Sequence, residues 1–273
     1  MYLNIFILSK LNLLIFFSIN FVYWFSGNII IVFFAILLSQ FISSKSFSFE
    51  GNQKIETFYD SKIILRDIFQ NHQYTFYCSC SYEHKKPIFK ACGYKPYKNF
   101  KRANRIEWEH VVPASRFGKK FETWKNGNLR CIKNGKKFKG RKCARKINKK
   151  FRLMEADLYN LQPTIGEINQ QRQNFKMSII PGEKRNFGKC DFEVQNKFVE
   201  PSPNIRGDIA RTYFYMADTY SNYIKLTKSE LSLFSKWNNV DPVDEWECKK
   251  SKLIVNSQKN LNKFIVQGCK ASD

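Results

Sequence analysis

Hydrophobic positions along this chain fall into two regimes. Through residue 48 they are nearly continuous, with runs at Leu11 to Phe25 and Ile29 to Leu38 broken by Ser26, Gly27 and Asn28, and Lys10 and Lys45 are the only charges there. Beyond that point they become periodic. Ile55, Phe58, Tyr59, Ile63 and Phe69 recur at helical spacing, which predicts an amphipathic helix over Ile55 to Phe69. A Cys-rich stretch punctuated by Gly and Pro follows from Cys78 to Lys98, then a strand-like run from Arg105 to Val112 that Pro113 ends. Helical patterns return at Phe151 to Leu161, Gly166 to Asn174, Asp208 to Tyr223, Lys228 to Trp237 and Val243 to Ser257, and no internal repeat is present. The expected fold class is α+β: a mostly helical single domain with a small central strand element and irregular loops tied by disulfides.

The apolar leader is followed by a small, polar stretch from Ser39 to Ser48, the order expected of an export signal, and Ser46 and Ser48 fit the small-residue rule for a cut before Phe49. The competing reading is a membrane anchor, because two apolar runs are long for a signal and Lys10 alone is a weak positive start. The expected division is therefore a leader over 1–48 and one domain over 49–273, periplasmic or secreted after cleavage and membrane-anchored if the leader stays.

Composition adds an electrostatic partner to this picture. The chain has 46 Lys and Arg against 23 Asp and Glu, for a formal charge of +23, and without the first 48 residues the balance is 44 against 23. The basic character thus belongs to the folded part, and with 43 % hydrophobic residues it excludes a disordered chain. Charge is densest from Lys125 to Lys146, where 10 of 22 residues are Lys or Arg and none is acidic. With Trp124 and Phe138 close by, this run favours nucleic acid over a membrane surface, so Lys125, Arg130, Lys133, Lys136, Lys137, Lys139 and Lys142 are candidates for phosphate contacts with little sequence discrimination.

All eight cysteines follow the leader, an even count that points to four disulfides in an oxidising compartment. A zinc site fits poorly, since one residue separates Cys78 from Cys80 where paired ligands usually need two to four. Eight cysteines allow about 105 pairings. Cys131 with Cys143 is the pairing that would close a short basic loop.

Chemistry concentrates in two segments. His110, one of three histidines, sits in RIEWEHVVPAS (Arg105 to Ser115) beside Glu109 and just before a break at Pro113, where an imidazole can serve as a base. Neighbouring strand residues point to opposite faces, so Glu109 and His110 share a site only if the strand ends or bulges between them. The second segment is MEADLYNLQPTIGEINQQRQN (Met154 to Asn174), in which Pro163 breaks one pattern and Asn169 falls in the helix that follows. Mg²⁺ takes oxygen ligands, so Glu109 with an Asn amide oxygen would suffice. Asn160 reads as a turn or helix-end residue, and Asn169 as a ligand or an ordinary polar helix residue.

RIEWEHVVPAS, GRKC (Gly140 to Cys143), FRLMEADLYNLQPTIGEIN (Phe151 to Asn169), ARTYFYM (Ala210 to Met216) and PVDEWEC (Pro242 to Cys248), in this order, resemble the bacterial endonuclease I family of periplasmic or secreted non-specific nucleases with a ββα-metal (His-Me finger) active site. The resemblance covers roughly Ile55 to Cys269. It implies His110 as general base, Glu109 and Asn169 as ligands of one Mg²⁺ (with Mn²⁺ or Ca²⁺ able to substitute structurally), Arg141 of GRKC as the phosphate-stabilising arginine, and Asn160 as a loop-ordering residue. It also implies hydrolysis of double- and single-stranded DNA, and of RNA, to 5′-phosphate ends by a monomer with no stable membrane association once the leader is removed. Departures are an expanded stretch between Trp124 and Gly140, Tyr159 where many members have His, Ser115 where an aromatic is common, and Lys263 in place of a Pro. The alternative is a non-catalytic exported protein that captures nucleic acid through the basic run alone, which would have no need of Glu109, His110 and Asn169 together.

Overall fold

The computed structural model describes residues 51–182 and 184–269, so the leader, its cleavage point and the last four residues lie outside the described residues. The first helix among the described residues, α1 (Phe58–Ile68), starts where the Thr57 hydroxyl accepts the Asp60 N–H and buries Ser61, Leu65 and Ile68. Ile55 precedes it because Asn52 takes that stretch: the Asn52 side chain accepts the Ile55 N–H at 2.9 Å and donates to the Leu153 carbonyl at 2.8 Å. The Cys-rich stretch forms a two-residue-turn hairpin, β1 (Tyr82–Glu83) and β2 (Lys86–Pro87). Disulfides Cys80–Cys92 and Cys78–Cys190 anchor it at both ends.

Next comes β3 (Ile106–His110), the strand predicted from Arg105 to Val112. The basic run that follows is more regular than a loop. It makes a hairpin, β4 (Ile132–Lys133) with β5 (Lys136–Lys137), and then a helix, α2 (Arg141–Ile147), separated from the hairpin by Gly140 at φ 76°. Cys131–Cys143 staples the base of the hairpin to this helix.

The pattern from Phe151 to Leu161 is not one helix. Helix α3 (Lys149–Glu155) stops, a single 3₁₀ turn runs over Leu158–Asn160, and a strand, β6 (Leu161–Ile165), pairs antiparallel with β3. The cause is a polar group inside the core. Asp157 caps the 3₁₀ turn by accepting the Tyr159 N–H at 3.0 Å, and its other oxygen accepts the hydroxyls of Tyr215 at 2.8 Å and Tyr220 at 2.6 Å. A carboxylate tied to this many donors cannot ride in a helix interior. Pro163 is tolerated in β6 because the sheet has two strands, and its carbonyl accepts the Phe76 N–H from outside the sheet at 2.8 Å.

Strand β6, buried at all five positions, runs directly into helix α4 (Gly166–Arg172). Only a glycine lets α4 start this close to β3: a Cβ on Gly166 would lie 2.6 Å from the Arg102 carbonyl and 2.9 Å from Glu107 Oε1. A three-stranded sheet follows, with β9 (Phe198–Pro201) between β7 (Lys176–Met177) and β8 (Phe192–Gln195), parallel to β7 and antiparallel to β8. The chain closes with α5 (Arg206–Thr219), α6 (Lys228–Val240), α7 (Glu245–Gln258) and α8 (Lys263–Cys269), Pro242 and Val243 leading non-helically into α7, which Asp244 caps. Buried Arg211 bridges α5 to α7 by donating Nε and Nη2 to the two oxygens of Glu247, and Cys248–Cys269 joins α7 to α8. Among the described residues every cysteine is disulfide-bonded, and no helix is long and apolar enough to cross a membrane.

Candidate active site

Strand β3, helix α4 and the start of α2 converge on a cleft of about 750 Å³ whose lining includes Glu107, Glu109, His110, Arg141 and Asn169. The first two acids share one face by strand alternation, and His110 reaches the same cleft because β3 ends at it, which resolves the question of opposite faces.

His110 is buried, with its Nε2 2.9 Å from the Glu155 carbonyl oxygen. A carbonyl only accepts, so Nε2 carries the proton and the neutral ring keeps its lone pair on Nδ1. Burial, and then the Arg141 charge, depress the imidazole to about 3 against the opposing pull of Glu155, so it is neutral throughout the physiological range. The Phe58 ring lies 4.9 Å from the His110 ring and 5.9 Å from the Arg141 guanidinium, a wall shared by both.

Glu155 organises the cations. Its carboxylate, 1 % exposed, accepts Arg141 Nε on one oxygen and Arg145 Nε at 2.6 Å on the other. Burial opposes that charge, but the bonds from Arg145 and Arg141 outweigh it and hold the carboxyl below its ordinary value. The Arg141 side chain remains 40 % exposed, so its fork is not consumed by the pairing.

Glu109 is in the opposite condition. Burial pushes its carboxyl up to about 7, although Arg172 Nε lies 3.0 Å away and the Tyr77 hydroxyl 3.4 Å away. Arg172 is itself fully buried: Nη1 and Nη2 donate to the carbonyls of Phe175 and Val111, while Nε lies beside the Glu109 carboxylate as an ion pair without a hydrogen bond of its own. Asn169 donates from Nδ2 to Glu107 Oε2 at 2.9 Å, which leaves Oδ1 as an oxygen donor, while Glu107 is held by Arg102 and Arg105.

The remaining sequence candidates sit elsewhere. Asn160 is outside the cleft and fully buried, accepting the Val112 N–H at 2.7 Å and donating to the Val112 carbonyl at 3.0 Å, two residues beyond His110. Lys133, Lys136, Lys137 and Lys142 line a second concavity of about 570 Å³ around Phe138, whereas Lys125 pairs with Glu122 at 3.1 Å, and neither Arg130 nor Lys139 lines either cleft. Tyr159, at the position where His is common in the resembling family, places its hydroxyl 3.2 Å from Ser251 Oγ in the core. Glu107, Glu155 and Arg172 were missed in the sequence. Glu107 alone carried a local signal, since EWE puts two acids at the two-residue period of a strand.

The sequence profile of the endonuclease I family matches residues 37–269. The chain belongs to that family. Among its relatives are Endonuclease-1 of Buchnera aphidicola subsp. Acyrthosiphon pisum, 42 % identical over 235 residues that cover 84 % of this chain and 88 % of the relative. An extracellular deoxyribonuclease of Aeromonas hydrophila is 38 % identical over 222 residues (79 % and 90 % covered), and a periplasmic deoxyribonuclease of the same organism is 39 % identical over 225 residues (80 % and 88 % covered). The cleft lies wholly within the stretch matched by the endonuclease I profile.

Proposed function

We propose that this endonuclease I family member is exported and hydrolyses phosphodiester bonds of double- and single-stranded DNA, and of RNA, without sequence selection, leaving 5′-phosphate ends. In this reading β3, β6 and α4 constitute a ββα-metal unit. The observation that carries it is the commitment of His110 Nε2 to the Glu155 carbonyl, in a cleft shared with Glu109, Asn169 and Arg141. The apolar leader, the four disulfides and the names of the relatives support action in the periplasm or medium, and the acting unit in this proposal is a monomer.

Neutral His110 would take a proton from water at Nδ1, and the resulting hydroxide would attack phosphorus in line with the leaving 3′ oxygen. Arg141 would offer a charge-assisted fork to the phosphate, keeping its orientation through Glu155. Glu109 and Asn169 would hold one Mg²⁺, with water and phosphate oxygens completing the shell, and Mn²⁺ or Ca²⁺ could stand in structurally. The donor set fits: burial disfavours the charged form of Glu109 despite Arg172, a cost that a cation beside the carboxyl would offset, and the Asn169 bond to Glu107 uses Nδ2, leaving Oδ1 for a ligand. When bound, the cation would stabilise charge building on the phosphate and the leaving oxygen.

Supercoiled plasmid incubated with the oxidised protein, with and without EDTA, tests the proposal. Nicking that EDTA abolishes and that drops by about two to four orders of magnitude in His110→Ala is expected. A plasmid shifted on a gel yet never nicked would replace the enzyme with a nucleic-acid-capturing protein, and near-normal turnover by His110→Ala would remove the base.

A further inference from the structure

A second groove, about 600 Å³, opens off the catalytic cleft and shares Lys62, Ile106 and Trp108 with it. One wall is a single face of α1, where Tyr59, Lys62 and Arg66 follow one another at helical spacing. The β1–β2 turn and Trp108 also line the groove.

The groove has flat aromatic surfaces set among cations. Tyr59 is 65 % exposed, with Lys62 Nζ 5.6 Å from its ring centre. The half-buried Trp108 indole is backed edge-on by Phe69 at 5.6 Å, so its orientation is held from behind. Lys62, Arg66 and Lys85 outnumber the one carboxylate in the lining, Glu83. The turn residues His84 and Lys85 adopt φ of 45° and 70°, where a hairpin ordinarily uses Asn and Gly, and the Lys85 carbonyl accepts the Ile106 N–H at 2.8 Å, which pins the turn to the start of β3.

We propose that this groove binds an unpaired stretch of the polynucleotide whose scissile phosphate occupies the catalytic cleft, with bases stacked on Tyr59 and Trp108 and phosphates against Arg66 and Lys85. The proposal rests on the endonuclease reading of the cleft. The occupant follows from the chemistry: a duplex keeps its base faces stacked inside and presents the sugar–phosphate backbone and base edges, so exposed aromatic planes beside cations serve a strand whose bases are free to stack. The shared lining makes the groove the continuation of the cleft along one strand.

Fluorescence anisotropy in EDTA, with a labelled oligothymidylate and a blunt duplex carrying the same number of phosphates, tests it without cleavage. Tyr59→Ala is expected to weaken single-strand binding by roughly ten-fold or more, as loss of a stacking platform does. Tyr59→Phe should stay within about two-fold of the wild type, and both variants should bind the duplex within about two-fold of it, as for surface changes outside an interface. The double variant Arg66→Ala and Lys85→Ala should lower the slope of log affinity against log salt for the single strand by about 1.4. Parallel losses on duplex and single strand would reduce the groove to general electrostatics, and unchanged single-strand affinity in Tyr59→Ala would overturn the proposal. Plasmid nicking by the same wild-type preparation reports separately on the catalytic reading, so failure of one does not imitate failure of the other.

Discussion

Asn160 closes a two-bond clasp on Val112 from a position of zero exposure, and its removal should be felt throughout the site. Asn160→Ala leaves the Val112 N–H and carbonyl buried without these partners, and each unsatisfied buried group costs about 1–3 kcal/mol. The sum is about 2–6 kcal/mol, with some relief if water enters. In urea, with disulfides intact and a slope of about 2 kcal/mol per molar for a chain of this size, the unfolding midpoint should fall by about 1–3 M. Asn160→Asp discriminates further. It keeps the acceptor for the Val112 N–H but sets a second oxygen against the Val112 carbonyl, so at neutral pH it should be at least as damaging as Ala. Because Val112 lies two residues past His110, nicking without denaturant should fall by more than the unfolded fraction accounts for. A midpoint shift below about 0.3 M in both variants would refute the accounting, since neither bond could then matter to the folded state.

Metal binding and base function should separate by mutation: Glu109→Ala and Asn169→Ala should weaken Mn²⁺ binding measured by calorimetry by about ten-fold or more, whereas His110→Ala should leave it near the wild-type value. Equal affinities in all three would remove both proposed ligands. Replacing Lys133, Lys136, Lys137 and Lys139 by Gln should lower affinity alike on every duplex sequence and flatten its dependence on salt, and an unaltered slope would take the hairpin out of the binding surface. Acid stability should involve Glu230, where burial is outweighed by the bonds from Arg116 and Thr227, so the carboxyl is held below its ordinary 4.5. A lowered carboxyl contributes stability above its unfolded value that is lost as pH falls through the folded one, so the deficit of Glu230→Gln in chemical denaturation should shrink between about pH 6 and about pH 3. A deficit constant over that range would contradict the assigned ion pair.

Periodicity located β3, α4, α5, α6 and α7 because each carries its pattern within a few consecutive residues, and it did not mark α8. Strand β6 escaped it. Phe151, Met154, Leu158 and Leu161 satisfy a helical period, and what ends the helix is the reach of Tyr215 and Tyr220, some sixty residues onward, to Asp157. The same limit hid Glu155 and Arg172. Neither is marked by its neighbours, and each matters through a partner from another part of the chain: the His110 ring for the Glu155 carbonyl, and Glu109 for the Arg172 guanidinium. The basic run was legible as charge, yet its division into hairpin and helix depends on Gly140 and on the Cys131–Cys143 staple.

The bond between Cys78 and Cys190 joins positions 112 residues apart, while the thiols at Cys80, Cys92, Cys131 and Cys143 all intervene and pair among themselves. A chain threaded out from its N-terminus and oxidised in order of appearance would present Cys78 and Cys80 together long before Cys190 emerged. Whatever oxidant meets it first can trap Cys78 with the wrong partner, and exchange through mixed disulfides must then undo that bond. On the export reading, the native pairing should therefore be reached faster with a shuffling catalyst present as well as an oxidant. Production in a host that has the second without the first should yield a ladder of misbridged isomers, separable by non-reducing electrophoresis, in place of a single species.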